Sequence, residues 1–488
     1  MSRHLKEKAI HGALWTGIHK LASLLLGFIS GIVLARLLTP HDYGVIGMLA
    51  IFLAVSNTFI DGGFGSALIQ KKRPTDIDYS TIFYWNIAFS SFLYVILYLC
   101  APLIAHFYNL PLLSDVLRVE GLVLVINSAR IVQRNQLRKR LEFKKITIIN
   151  LSAHVVALAF TIFLAWKEWG VWALVVQQLL LAFLTTGLYW ITSSWKPLWV
   201  FSLQSFKELS NFGGFVLLSN LINTISNNVQ GLLIGKFYDA SMLGYYTKAR
   251  RTEGLASTFI SNVLNQVMYP VLSEVQDEKQ RMIVVLRRFI CTTAYVTFPI
   301  VIVLILIARP LFLLLYSDRW LPSVPYFQML CLAGVAICLQ NVNYFATAAI
   351  GKSKDLFVWT VAKRGVGLLL VIGGLWAYGI YGLLFGSIVT SWIIYLINAK
   401  LVSKHIGYTL KSQYNDLLPI ATLSVIAFIS AYTVASIWKT NLYIDGALKL
   451  FVFVAVYFLS SVVLKLKAYE DTKDTAYVLF QGLKKRSV

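Results

Sequence analysis

GALWTGIHKLASLLLGFISGIVLARLL, residues 12–38, is an apolar run broken near its middle by His19 and Lys20. It is too long for the apolar region of a secretory signal and has no small-residue cleavage site. A helix needs about twenty apolar residues to cross a bilayer. The run therefore predicts a first membrane helix behind a short basic tail holding Arg3, Lys6 and Lys8.

The rest of the chain repeats that pattern. Of its 488 residues, 58 % are apolar and 14 % charged, against about 25 % charged in soluble domains. Mean hydropathy is +0.69. Fourteen spans are predicted, near 12–38, 43–70, 81–106, 116–133, 146–166, 170–192, 212–237, 244–272, 289–315, 324–350, 356–376, 380–400, 417–438 and 446–465. The span at 244–272 is the least apolar, because Lys248, Arg250, Arg251 and Glu253 occupy its first half. No connection is long enough for a soluble domain. The expected fold is an all-α polytopic membrane protein.

Charge then sets topology. A net charge of +22 would suggest nucleic acid in a soluble protein. Here the basic residues interrupt membrane spans, and they report orientation and anionic lipid instead. They gather on both termini and the even-numbered connections. The fourth alone holds Arg134, Arg138, Arg140, Lys139, Lys144 and Lys145. The odd connections are nearly bare. The positive-inside rule puts both termini in the cytoplasm. A soluble enzyme, a nucleic-acid binder and a disulfide-stapled secreted domain are excluded by the same numbers.

An internal repeat supports the count. Residues 29–45, ISGIVLARLLTPHDYGV, lie over residues 229–245, VQGLLIGKFYDASMLGY, without a gap. Gly31 meets Gly231, Arg36 meets Lys236 and Gly44 meets Gly244. Farther on, Ala101-Pro102-Leu103 meets Arg309-Pro310-Leu311, and Tyr108 meets Tyr316. Six spans separate the copies, so both halves enter the membrane in the same sense, a parallel repeat. The expected domains are a six-helix lobe at 1–205, a second at 206–410, and an extra helix pair with a cytoplasmic tail at 411–488.

Charged side chains inside a bilayer are costly and mark function. Thr16, His19, Lys20 and Ser23 recur on one face of the first span, and Asn220, Asn223, Thr224, Asn227 and Gln230 on one face of the seventh. A central polar cavity between the two spans would explain both faces; interhelical hydrogen bonding would also explain the asparagines. In the eighth span, Arg251 and Asn262 share a face, with Arg250 and Glu253 beside it. Asp61 opens Asp61-Gly62-Gly63-Phe64-Gly65, whose glycines allow close helix approach. It could equally pair with Lys20 or Arg36. Asp61 and Glu253 read as the clear intramembrane acids, and with Arg36 they are the candidates for gating or coupling. Arg130, Lys363 and Arg364 read as positive-inside anchors. Lys20, Arg250 and Arg251 are the candidate functional cations, with His19, Asn220, Asn223, Asn227 and Asn262 as further polar candidates.

Signals for chemistry are missing. Cys100, Cys291, Cys331 and Cys338 sit in apolar runs with no metal or redox spacing. Gly351-Lys352-Ser353 has Ala346 where a phosphate-binding loop needs glycine. No catalytic residue, cofactor or metal site is expected, and the sequence shows no ATPase module.

Leu34-Ala35-Arg36-Leu37-Leu38-Thr39-Pro40-His41-Asp42-Tyr43-Gly44 and Asp61-Gly62-Gly63-Phe64-Gly65-Ser66-Ala67-Leu68-Ile69-Gln70 resemble motifs of bacterial polysaccharide exporters of the Wzx type. These belong to the multidrug/oligosaccharidyl-lipid/polysaccharide (MOP) superfamily. The resemblance is sharpest over residues 9–73 and extends across 1–410. It implies two lobes in a V, alternating access, and flipping of undecaprenyl-diphosphate-linked oligosaccharide from the cytoplasmic to the periplasmic leaflet. Lipid-linked oligosaccharide and membrane lipid are then the partners, with polysaccharide polymerase and glycosyltransferases as further ones. The family lines its cavity with cations; this chain departs in having an Asn-rich seventh span. A diphosphate carries about two negative charges, which fixed Lys and Arg can take over from water. The competing readings are a cation-coupled multidrug exporter of the same superfamily, which would favour acidic cavity residues, and a membrane glycosyltransferase or polymerase, which would need a long outer loop or clustered carboxylates.

Overall fold

The computed structural model describes residues 3–437 and 441–473, and among them every regular element is a helix. The chain divides into two compact units, Met1–Thr247 and Lys248–Val488.

In the first unit, α1 (Arg3–Leu37) gives way to α2 (Pro40–Asp61) at Thr39. The junction is written in Thr39-Pro40-His41-Asp42. The Thr39 amide donates to Asp42 Oδ2 at 2.9 Å, and the Asp42 amide donates to Thr39 Oγ1 at 3.3 Å. Pro40, with no N–H to satisfy, fits the first helical position. A short α3 (Phe64–Gln70) follows, then α4 (Asp76–Tyr108), started by the same Thr-x-x-Asp box at Thr75 and Asp78.

The predicted span at 116–133 is not one helix. It is three: α5 (Leu112–Glu120), α6 (Leu122–Ser128) and α7 (Ile131–Lys139). Gly121 and the polar run Asn127-Ser128-Ala129-Arg130 stand at the breaks, where backbone or side chain competes with the helix ladder. Then come α8 (Phe143–Trp166), α9 (Val171–Thr192) and α10 (Leu203–Phe237). α11 (Ala240–Glu274) crosses from one unit to the next. α1 packs on α8, and α10 packs on α2, α3 and α4.

The second unit continues with α12 (Lys279–Leu306), α13 (Ala308–Tyr316), a 3-10 turn at Asp318–Trp320, α14 (Ser323–Ala349), α15 (Ser353–His405), α16 (Leu410–Ile437) and α17 (Leu442–Val463). Lipid gives helices no hydrophobic reason to associate, so packing and interhelical hydrogen bonds must hold them. The buried amides of Asn343 (α14) and Gln413 (α16) exchange two bonds, at 3.3 and 3.1 Å, and Tyr395 of α15 donates to Gln413 at 3.1 Å.

Among the described residues, ten helices are long and apolar enough to cross a membrane. One of them, within α15, is broken at Tyr378 and Gly379, between the spans predicted at 356–376 and 380–400. α10 and α11 are long but too polar to qualify, as their one-sided Asn, Thr and charged faces require.

The repeat has a physical signature. A Cβ on Gly44 would stand 1.7 Å from the Ala240 carbonyl oxygen, and one on Gly244 would stand 1.8 Å from that of Pro40. The paired positions, 40 with 240 and 44 with 244, thus meet at one reciprocal crossing. The cap repeats too: the Met242 amide donates to Asp239 Oδ1 at 2.7 Å, at the position corresponding to Thr39. Gly170 (φ 54°, ψ −131°) and Gly379 (φ 61°, ψ −143°) make matching tight links between helices, in a region open only to glycine.

Candidate functional site

The broken span builds the site. Arg130 precedes α7, and Arg134 and Arg138 follow at four-residue steps, so all three guanidiniums leave one side of the helix. They line a cavity of about 320 Å³ with Thr16 and His19 of α1 and Phe143, Ile146, Thr147 and Asn150 of α8. A second cavity of about 160 Å³ shares Arg130 and Asn150 and adds Ser23, His154 and Thr185. Arg138 is exposed, whereas Arg134 and Arg130 are part-buried. Arg130 donates to Thr185 Oγ1 of α9.

Neighbouring contacts fix α7 in place. Lys139 donates to the Leu68 carbonyl at 3.0 Å and also to that of Lys71, closing the end of α3. Asn135 lies against Gly65, where a Cβ would come within 2.9 Å of its amide nitrogen and 3.3 Å of Asp61 Oδ1. Gly63, at φ 72°, lets the chain pass Gly213 of α10 at backbone distance. The Asp-Gly-Gly-Phe-Gly motif therefore seats α3 between α7 and α10.

Three cations at one-turn spacing repel each other. Asp61 acts electrostatically on Arg134, but one carboxylate does not neutralise the row. Among the described residues, Arg134 Nε is buried with no acceptor and His19 Nδ1 with no hydrogen-bond partner. A buried donor left so costs about 1–3 kcal/mol, more when charged. An anion in the cavity would relieve both terms. Arginine's planar fork suits phosphate in particular.

The predicted residues fall in several places. His19 joins the arginine cavity; Lys20, next to it, is exposed and outside the lining. Arg36 is exposed in the last turn of α1. Asn220 and Asn227 are exposed and Asn223 is part-buried. α10 meets α2 through the Thr58 and Thr224 hydroxyls, 3.0 Å apart. In the second unit Arg251 is exposed and Arg250 part-buried, and Arg250 acts electrostatically on Glu253. Glu253 accepts from Ser257 and lies against Gly334 of α14. The side chain of Asn262 lies outside the described residues. Among the described residues, no cluster of His, Cys, Asp and Glu could hold a metal.

Three features stand outside the sequence expectation. Arg130 reads as an anchor and Arg134 and Arg138 as connection charge; their i, i+4, i+8 spacing is the available signal. Glu120 is 0 % exposed and no motif marks it. Lys248 reads as one charge among four in the least apolar span. Lys248 is buried, with Nζ 4.0 Å from the Tyr316 ring centre and 5.2 Å from that of Trp320.

Comparison with known proteins agrees with a transport fold. A family model described as "Polysaccharide biosynthesis protein" matches residues 33–325. The chain is 26 % identical to the teichuronic acid biosynthesis protein TuaB of Bacillus subtilis, over 96 % of this chain and 98 % of that one. It is 24 % identical to the lipopolysaccharide biosynthesis protein WzxC of Escherichia coli, over 86 % and 87 %. Among solved structures it is similar to the lipid II flippase MurJ in an inward closed conformation. The TM-score is 0.72 at 16 % identity, covering 93 % of this chain and 99 % of that one.

Proposed function

The chain belongs to the polysaccharide biosynthesis protein family, and from that premise we propose that it flips a diphosphate-linked lipid oligosaccharide from the cytoplasmic to the outer leaflet of a bacterial inner membrane. The observation that carries this reading is the arginine-lined cavity set among membrane helices. Burying guanidinium groups in a bilayer is costly, and an anion is what the cavity can bind in return. The polyprenyl tail stays in lipid while the charged headgroup and sugars cross through polar surroundings. An exporter of cationic drugs would gain nothing from such a lining.

In this reading the lobes that move are residues 1–205 and 206–410, with 411–488 as an appended pair and both termini cytoplasmic. The basic residues around the turn from α7 into α8, Lys139, Arg140, Lys144 and Lys145, support that orientation. Lys20 of the first unit, and Arg250 and Arg251 of the second, are further cations that the headgroup meets during passage. Asn220, Asn223, Asn227 and Asn262 bond sugar hydroxyls, and Arg36, Asp61 and Glu253 serve gating. Glycosyltransferases supply the substrate and a polymerase takes it.

Purified protein in vesicles tests the reading. Fluorescent undecaprenyl-diphosphate oligosaccharide, placed in one leaflet, should become accessible to a membrane-impermeant quencher on the other side. Arg130→Gln with Arg134→Gln should stop this while leaving the protein folded. Equal transfer in protein-free vesicles, or undiminished transfer by the double variant, would overturn it.

A further inference from the structure

Glu120 ends α5 at the first break of the split span, and its side chain is completely buried. Gln178 of α9 donates to Oε1. Oε2 is buried with no partner among the described residues.

Among the described residues no cation acts on the carboxyl. Arg118, two residues earlier, is engaged elsewhere: its guanidinium lies 4.8 Å over the Tyr98 ring and 3.9 Å from Asp115. From α4, Tyr94 donates to the Arg118 carbonyl at 3.1 Å, and its ring packs on Gly121. From α9 the nearest polar group is Gln178; the helix's one titratable side chain, Tyr189, lies three turns on. α6 carries no titratable residue. Those of α2 are at its ends: His41, Asp42 and Tyr43 at the start, Asp61 at the finish. Among the described residues, Gln178 is the one side chain that interacts with the carboxyl.

A carboxyl so enclosed has a place for a proton on the orphan Oε2 while Oε1 keeps its bond from Gln178. Discontinuous membrane helices are where transporters hold ions. An intramembrane carboxyl is also a usual proton carrier. The next break of the same span, ten residues on, starts the arginine row. One segment thus holds a buried acid near the end read as extracytoplasmic and an anion cavity near the end read as cytoplasmic.

We propose that Glu120 is the proton-binding residue that couples transport to a proton gradient. When the Glu120–Gly121 break opens to outside water, a carboxylate oxygen takes a proton from hydronium. When it opens toward the cytoplasm, water takes the proton back. Proton binding stands without the flippase reading; coupling rests on it.

Two measurements test this on full-length protein in nanodiscs and vesicles. Infrared difference spectra between acid and alkaline pH should show a protonated-carboxyl C=O band for the wild type and for Glu120→Asp, lost in Glu120→Gln. Identical wild-type and Glu120→Gln spectra would overturn the proposal. In vesicles loaded with fluorescent undecaprenyl diphosphate, a pH gradient should speed transfer by the wild type. It should leave Glu120→Gln unaffected, with folding checked by thermal melt. A Glu120→Gln response equal to wild type would overturn coupling. A band that depends on Glu120, with no lipid transfer by any form, would retain the proton site and sink the flippase reading.

Discussion

The span at 112–139 and α14 occupy the same place in the repeat, and they could hardly differ more. In the register that sets Tyr108 on Tyr316, Glu120 falls on Gln328, Arg130 on Cys338, Arg134 on Val342 and Arg138 on Ala346. α14 is one continuous helix of 27 residues without a charged side chain. Cys338, Val342 and Ala346 are buried in its core. Its counterpart is cut into three short helices, and its charges line a cavity. The repeat supplies a common frame, visible at the Gly44 and Gly244 crossing and in the Gly170 and Gly379 links. One copy uses this position for packing. The other gives up helix continuity to hold charge where a ligand can reach it. Gln328 donates to the Ile305 carbonyl at 3.1 Å, so an amide is adequate for packing there. A carboxyl at Glu120 therefore calls for a different explanation.

Exchanging residues between the two copies should have the largest effect. Val342→Arg would place an unpaired guanidinium in a packed core. Insertion scales put that at about 2.5–3.5 kcal/mol. The variant should fail to accumulate in the membrane. Arg134→Val should be inserted and folded normally but lose transport. Membrane protein level and thermal melting in detergent would separate the two. If Val342→Arg accumulates normally and Arg134→Val does not, the roles assigned to the two copies are reversed.

Within the cavity, loss of one arginine contact to an anion should cost about 1.5–3 kcal/mol, the range for bonds to charged groups. That corresponds to roughly ten- to hundred-fold in affinity. Arg134→Gln and Arg130→Gln should each weaken binding of inorganic pyrophosphate by that much, as measured by calorimetry. Arg134→Lys should keep part of it, since charge survives and the planar fork does not. Lys20→Ala should have a smaller effect, because Lys20 is outside the lining. A larger loss from Lys20 than from Arg134 would move the anion site to the other polar face of α1.

This contrast also separates what the sequence discloses from what it hides. Thr39-Pro40-His41-Asp42 announces a helix start, and the structure has one. The glycines after Asp61 announce close approach, and Gly63 and Gly65 make it. Such signals are local: a cap or a missing Cβ acts on what is adjacent. The arginine row was only half legible: its four-residue spacing puts the cations on one face, but spacing does not say what that face meets. Basic residues at a cytoplasmic helix end look the same whether they anchor the helix in the headgroups or face inward. Only the packing of α7 against α3 and α8 decides between them. Glu120 was hidden likewise, since one acid near the end of an apolar run looks like a loop residue until the helix breaks beside it. The motif after Asp61 carried the family resemblance, yet its contribution here is to seat α3 beside the arginine-bearing helix.

The shared frame should fail symmetrically. Gly44→Ala and Gly244→Ala both put a methyl group into the same crossing, and overpacking of this kind costs about 1–3 kcal/mol. Gly170→Ala and Gly379→Ala force a side chain into a backbone region reserved for glycine, at about 1–3 kcal/mol each. Melting temperatures should fall by similar amounts within each pair. A large fall for Gly44→Ala with none for Gly244→Ala would show that the crossing is not reciprocal.

The smallest effect lies at an ion pair outside the apolar spans. Lys71 lies 3.1 Å from Asp78 and 2.9 Å from Glu208, tying the end of α3 to the starts of α4 and α10. Burial pulls the pKa of Lys71 down. The bonds and charges of Glu208 and Asp78 push it up and prevail, so it stands above the ordinary lysine value. A raised pKa means the pair's stabilisation is complete below the unfolded lysine value and fades as pH rises through the folded one. In the second unit Arg287 ties α12 to Asp416 of α16, and a guanidinium keeps its charge throughout that range. Glu208 is well exposed, so Glu208→Gln should cost about 0.2–1 kcal/mol at neutral pH. The cost should shrink toward zero at strongly alkaline pH, where Lys71 is neutral in either protein. Arg287→Lys should make the second unit acquire the alkaline sensitivity that the first already has. Melting curves of the three proteins across alkaline pH would check this, read at low salt because screening weakens exposed pairs. If the Glu208→Gln deficit grows instead with rising pH, Lys71 is held by something other than these two carboxylates.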